Sequence, residues 1–370
     1  MNKAVGRFGA ALAGAALLAA VVPAGAQTLL GVYEGGQGWK MERVRALEAW
    51  QERRHAVVNL YTDWCNRTKT LDNLFNQQLP NIWKNGNVPM VTWEPFLCSP
   101  AATPNDVERR AAAGMYEGYL KEWARRMKLF LNGPDGRPDT GDERRVYLRL
   151  AHEMNGNWYP WSAESAADTE SYKEMWKYVH GTFRQQGIPS TQLQWVWCAN
   201  HQDFGGFPAE DFYPGDGYVD WLAVDGYNWG SSETWSHWAT PNEVFGDMVA
   251  RVRRLASTKP LAITEVGSTS AHETSSANIV AKSGWLNQFF DYVAANDVRM
   301  ILWFNEDKET DWAVFGGVNG DGIHKAGRTT YKTYSAYKDR LIKGKFVSAG
   351  TAASNPGLLT DDQFHGVLLP

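Results

Sequence analysis

The sequence predicts an α/β fold of eight parallel strands, arranged as a (β/α)8 barrel or as an open sheet. Two observations carry this expectation. Eight short apolar runs follow residue 26: Leu29–Tyr33, Ala56–Tyr61, Val88–Trp93, Val146–Ala151, Leu193–Cys198, Trp221–Val224, Leu261–Thr264 and Met300–Phe304. Most are separated by stretches whose apolar residues recur at helical spacing. Alternation of this kind and count favours a closed parallel barrel, although the pattern alone leaves the open sheet standing.

Taken in order, the helical stretches begin with Met41 to Arg54, where Val44, Leu47 and Trp50 share a face. Asp106 to Leu131 is long, alanine-rich and amphipathic. Ser171–Gln186, Asn242–Ala256, Ala277–Asn296 and Thr330–Lys343 continue the series. The connection from His201 to Asp220 is rich in Gly, Pro and Asp and predicts little helix. No repeat or internal boundary is visible, so residues 27–345 read as one domain. Residues 346–370, with many Gly, Ala, Ser and Pro, read as a tail that packs loosely or extends.

Residues 1–26 have the form of a signal peptide. Lys3 and Arg7 are followed by an Ala/Leu-rich run from Phe8 to Val22, and Ala24 and Ala26 occupy the small positions of a cleavage site. The apolar run is short and glycine-interrupted for a retained membrane anchor. The expected location is therefore extracellular or periplasmic, where a disulfide can persist. Of the three cysteines, Cys65 and Cys98 each follow a strand, the second and the third, and so fall at the same end of neighbouring strands. They are the expected pair, and Cys198, inside an apolar run, is the expected buried free thiol. A net charge of −4 disfavours a nucleic-acid surface. Eighteen tryptophans exceed what a core needs, so an exposed aromatic cleft is expected beside a Trp-rich core.

The chemistry concentrates where two runs end. Val146 to Ala151 leads into His152-Glu153-Met154-Asn155-Gly156-Asn157-Trp158-Tyr159-Pro160-Trp161. A carboxylic acid walled by indoles is desolvated and holds its proton to higher pH, and indole faces suit the C–H faces of a sugar. Downstream, Pro260-Leu261-Ala262-Ile263-Thr264-Glu265-Val266-Gly267-Ser268 is a second short strand bearing a carboxylate. Two glutamates at two strand ends fit retaining glycoside hydrolysis, in which one protonates the leaving oxygen and the other attacks the anomeric carbon. His152-Glu153 is no zinc-helix motif, because Gly156 stands four residues after His152. Asn319-Gly320-Asp321-Gly322 lacks the ligand series of a calcium loop and reads as a turn. No metal or cofactor is expected.

The stretch His152 to Trp161, with Ile263-Thr264-Glu265-Val266-Gly267, resembles glycoside hydrolase family 26, a family of β-mannanases with some mixed-linkage β-glucanases and β-xylanases. The resemblance covers roughly Leu29 to Lys343 and implies a (β/α)8 barrel acting on a β-linked polysaccharide, with mannan expected first, mixed-linkage β-glucan second and xylan third. It implies Glu153 as acid/base, Glu265 as nucleophile, His152 and Trp158 at the cleft, Tyr227 hydrogen-bonded to the nucleophile and Trp303 as the floor beneath the cleaved sugar. Read from the residues alone, three of these have plainer roles: His152 as a hydrogen-bonded loop histidine, Tyr227 as a loop tyrosine and Trp303 as a core tryptophan. Alternation along the fourth strand puts Arg149, Ala151 and Glu153 on one side. A buried Arg149 needs an anion, either Glu265 or a structural partner. Tyr159-Pro160-Trp161 departs from the family's mannanases, which carry no proline there, and so brings mixed-linkage β-glucan close behind mannan. The different-class alternative is a carbohydrate-binding barrel without catalysis, disfavoured by the presence of both carboxylates. A monomer is expected.

Overall fold

A computed structural model describes residues 27–350 and 357–369; the signal-like segment lies outside them. Eight parallel strands close on themselves. They are β1 (Thr28–Tyr33), β2 (Val57–Asp63), β3 (Val88–Glu94), β4 (Val146–Leu150), β5 (Leu193–Asn200), β6 (Trp221–Asn228), β7 (Leu261–Ser268) and β8 (Val298–Phe304). Each pairs with the next, and β8 returns to β1 in register from Leu29↔Met300 to Tyr33↔Phe304. The barrel thus replaces the open sheet that the pattern left standing.

The helices form the outer layer: α1 (Glu42–Gln51), α2 (Thr68–Asn73), α3 (Leu79–Asn85), α4 (Val107–Ala112), α5 (Glu117–Leu131), α6 (Ala166–Gln185), α7 (Pro241–Leu255) and α8 (Ile279–Ala295). Their starts follow local chemistry. In α7, Thr240 accepts from the Glu243 amide while Glu243 reaches back to the Thr240 amide, and Pro241 occupies the first turn. The expected long helix 106–131 is two, because Gly114 at φ +81° turns the chain between α4 and α5. The expected helix 330–343 is also divided. Its first residues form β10 (Thr329–Thr333), which pairs antiparallel with β9 (Gly322–Ala326), and only α9 (Ser335–Lys343) is helical. The connection 201–220 holds short 3₁₀ turns only, as its composition implied.

Two apolar layers result. One lies between strands and helices and takes most of the tryptophans, including Trp64, Trp93 and Trp123. The other fills the lower barrel with Leu29, Val88, Met90, Tyr147, Trp221 and Met300, and it continues into the C-terminal residues Leu358, Leu359 and Phe364. The described tail is therefore packed rather than loose. β11 (Phe346–Val347) pairs with the start of β1, the helical turn α10 (Asp361–Phe364) follows, and Tyr147 Oη donates to the Phe364 carbonyl at 3.0 Å. With one end closed by apolar side chains, the polar strand ends gather at the other. Among the described residues no helix is long and apolar enough to cross a membrane. Cys65 and Cys98 are disulfide-bonded, and Cys198 is a buried free thiol.

Candidate active site

Glu265 sits inside β7, three residues before its end, rather than at the strand terminus. Pairing with β6 slips there: Val224 faces Ile263 and Asp225 faces Glu265, leaving Thr264 as an extra residue. A bulge breaks the alternation of faces. Thr264 and Glu265, adjacent in sequence, both reach the lumen. Thr264 Oγ1 donates to Asp225 at 2.6 Å, and Glu265 accepts from Arg149 Nη2 at 2.5 Å.

Two more donors fix this carboxylate in place, and a histidine ring lies beside it. Tyr61 Oη donates to Oε1 at 2.5 Å, and Tyr227 Oη donates to Oε2 at 2.6 Å. His152 Nε2 lies 3.7 Å from Oε1. Burial alone would raise the Glu265 pKa, but the Arg149 cation and the two tyrosine hydroxyls outweigh it and hold the group at about 2. Burial and the neighbouring Arg149 lower His152 to about 3, so it is a neutral ring near pH 7 and the cation that serves Glu265 is Arg149.

Arg149 is fully buried and pairs with Asp225 as well as Glu265, while Nε and Nη2 donate to Thr92 Oγ1 at 3.0 and 2.7 Å. One cation between two buried carboxylates leaves an excess negative charge. Burial chiefly pushes Asp225 upward, to about 7, against the pull of Arg149 and with the charge of Glu265 adding to the rise. Among the described residues, His152, Asp225 and Glu265 are the set whose ligand atoms lie within 4.8 Å of one another. Arg149 already supplies positive charge to both carboxylates, so this donor set does not fit a metal ion.

Glu153 is built differently. β4 stops at Leu150, and Ala151 and Glu153 take left-handed backbone at φ +44° and +54°. Non-glycine residues there cost on the order of 1–3 kcal/mol each. Surrounding bonds impose the shape. Glu153 N donates to the Cys198 carbonyl at 2.9 Å, Trp161 Nε1 to the His152 carbonyl at 2.9 Å, and Tyr172 Oη to the Ala151 carbonyl at 2.9 Å. The expected pleat alternation therefore fails after Leu150, and it is this kinked loop that delivers Glu153 to the pocket. Trp158 Nε1 donates to Glu153 Oε2 at 3.1 Å. Burial first, then the charges of Glu265 and Asp225, push the Glu153 carboxyl well above the ordinary carboxylate range.

Of the residues singled out in the sequence, Arg149, His152, Glu153, Trp158, Tyr227 and Glu265 converge here. His152 is buried, 3.2 Å from Tyr159 Oη, and its Nδ1 has no hydrogen-bond partner among the described residues. Trp158 is 45% exposed. Trp303 is a correction. It is 1% exposed, its Nε1 donates to the Trp312 carbonyl at 3.1 Å, and it packs on Trp285, Phe289 and Tyr337 in the helix layer. It cannot be a sugar floor. Phe304, its neighbour of opposite phase, stands against Tyr33 and Tyr227 instead.

Tyr61 and Asp225 were missed as site residues. The available signal was phase: Tyr61 shares its parity with Asn59, which accepts from Thr92 Oγ1 on the neighbouring strand at 2.9 Å. Asn305 and Asn228, just after β8 and at the end of β6, are struts. Asn305 accepts from the Val314 and Phe315 amides, and Asn228 from those of Gly230 and Ala239.

The chain is similar to proteins of known kind. It is 28% identical over 279 residues to Endoglucanase H of Acetivibrio thermocellus, covering 73% of this chain and 27% of that protein. It is 30% identical over 172 residues to a mannan endo-1,4-beta-mannosidase of Bacillus subtilis, covering 43% of this chain and 46% of that one. The chain thus spans less than half the length of these relatives. Among solved structures, the catalytic domain of the GH26 endo-beta-1,4-mannanase of Bacillus sp. JAMB-750 shares the fold at a TM-score of 0.62 and 17% identity, with 87% of each chain covered. Residues 141–295, which carry both glutamates, match the model of glycosyl hydrolase family 26.

Proposed function

We propose that the protein is a retaining endo-β-1,4-glycanase with Glu153 as acid/base and Glu265 as nucleophile. The observation that carries this reading is the opposite treatment of two glutamates in one pocket. Glu265 is held ionised by Arg149 and two tyrosine hydroxyls, and Glu153 is held protonated by burial and by the charge of Glu265. That pairing of environments supplies one acid and one nucleophile at the same pH.

In the first step Glu265 attacks the anomeric carbon as the bond to the leaving oxygen breaks, and Glu153 gives that oxygen its proton. A covalent glycosyl-enzyme results. In the second step Glu153, now a carboxylate, takes a proton from water; the water oxygen bonds to the anomeric carbon and Glu265 leaves. His152, buried beside Glu265 with a free Nδ1, and Trp158 contact the sugar. Arg149, Tyr61 and Tyr227 position the nucleophile.

β-Mannan is the first substrate class, by the names of the Bacillus relatives. A second reading, mixed-linkage β-glucan, is supported by the endoglucanase that matches across more of this chain and by Tyr159-Pro160-Trp161. β-Xylan ranks third. The Cys65–Cys98 bond and the signal-like N-terminus support export to an oxidising compartment, extracellular or periplasmic. The test is incubation of the purified protein with mannan, barley β-glucan, cellulose and xylan, following the first-formed anomer by NMR. Cleavage of mannan or barley β-glucan with retention is expected. An inverted product removes the mechanism, and no cleavage of any polymer removes the enzyme.

A further inference from the structure

Phe204 has no place in the chemistry described so far, yet it is built with care. It is an apolar ring 45% exposed at the rim, on the loop after β5. Its backbone is fixed from the β4 loop: Phe204 N and Gly205 N donate to the Asn155 carbonyl at 2.9 and 3.2 Å. The Asn155 side chain, fully buried, holds the same loop from within. It donates to the Asn200 carbonyl at 3.0 Å and to Asp203 at 2.8 Å, and it accepts from the Asn200 amide at 2.8 Å. The two loops touch so closely that a Cβ at Gly205 would lie 2.5 Å from the Gly156 carbonyl oxygen. Trp158 is seated as tightly, since a Cβ at Gly156 would lie 2.7 Å from its indole. The rings of Trp158 and Phe204 meet at 5.5 Å between centroids. Rigid, exposed aromatic faces at a cleft are costly unless something covers them.

The acid fixes which part of the substrate that is. A general acid must meet the oxygen that joins the cleaved sugar to its leaving group. Trp158 is hydrogen-bonded to Glu153, whereas Arg149, Tyr61 and Tyr227 are bonded to Glu265. From this placement we infer that Phe204, stacked beyond Trp158, is a binding residue for the leaving-group portion of the polysaccharide, covering the C–H face of a pyranose ring. The inference rests on the glycanase reading above and adds a specificity element to it.

The test separates the two halves of the substrate. Wild type, Phe204→Ala and Phe204→Tyr are assayed on a β-1,4-linked hexasaccharide and on a dinitrophenyl β-glycoside, which has no leaving-group sugar. For Phe204→Ala, the ratio of kcat/KM on the hexasaccharide to that on the aryl glycoside is expected to fall about ten-fold, the order of one lost apolar face. The hexasaccharide cleavage position should shift. Phe204→Tyr keeps the ring and should stay near the wild-type ratio. A Phe204→Ala ratio within two-fold of wild type overturns the inference, and so does an equal loss on both substrates, the mark of a structural role. A wild type inactive on all β-linked substrates overturns the glycanase reading itself, a result distinct from either.

Discussion

The lumen around Glu265 and the rim loop around Glu153 solve opposite problems with the same residue type. In the lumen the carboxylate is held by groups from four strands: Tyr61 on β2, Arg149 on β4, Tyr227 on β6 and the bulge at Thr264 on β7. At the rim the carboxylate has, among the described residues, one hydrogen-bond donor, the Trp158 indole, and rides on a loop with two left-handed residues. Both are buried, so burial alone cannot assign roles. The difference is set by which positive charge and which hydroxyls accompany each burial, and so by which strands lie beside it.

The largest expected effect breaks the lumen side. Glu265→Ala should lower kcat on every substrate, aryl glycosides included, by about 10⁴-fold or more, as for other covalent nucleophiles. Stopped-flow or discontinuous assays would check this; residual activity within 100-fold of wild type would remove Glu265 from the nucleophile role.

Breaking the rim side should look different. Glu153→Ala should lose about 10²–10⁴-fold on polysaccharide, with a much smaller loss in the first turnover of a dinitrophenyl glycoside, whose leaving group departs without a proton. The mutant should then stall at the glycosyl-enzyme, and azide should release it as the β-glycosyl azide. If Glu265→Ala gives that product instead, the two roles are exchanged.

Arg149→Gln tests what separates the two sites. Two buried carboxylates would lose their cation, so unfolding should become easier by about 3–5 kcal/mol in denaturant titration. With the proposed roles, activity requires Glu265 ionised and Glu153 protonated. It is lost as pH falls through the Glu265 pKa, about 2 in the wild type, and as pH rises through the elevated pKa of Glu153. Losing Arg149 raises the Glu265 pKa, so the acid limb of kcat/KM should move to higher pH. An unmoved acid limb would mean that the cation does not tune Glu265.

The smallest effect sharpens the comparison. Tyr61→Phe removes one of two hydroxyl donors and should cost about 1.5–3 kcal/mol, or roughly 10- to 150-fold in kcat/KM, while moving the acid limb the same way as Arg149→Gln. A change confined to the alkaline limb would place Tyr61 with Glu153 instead.

The eight strands, the Cys65–Cys98 pair and the two strands that carry glutamates were legible in the sequence, whereas the helices expected over 106–131 and 330–343 were each divided. The legible features are local properties: runs of apolar residues, breakers and the order in which they occur. The sequence also determined that Trp158 accompanies Glu153, because five residues of loop leave little freedom. Which way residues face was settled only by the packing of strand on strand. Strands apolar on both sides carry no mark of the lumen, so Trp303 and Phe304 could not be told apart until β8 closed on β1. The bulge at Thr264 is a pairing event between β6 and β7, invisible in either strand alone. Tyr61 and Asp225 join Glu265 through contacts 204 and 76 residues long in sequence, the second by way of Arg149. The tail after Phe346 looked loose by composition, and it is packed because the open lower end of the barrel offered Leu358, Leu359 and Phe364 an apolar surface that no local pattern announces.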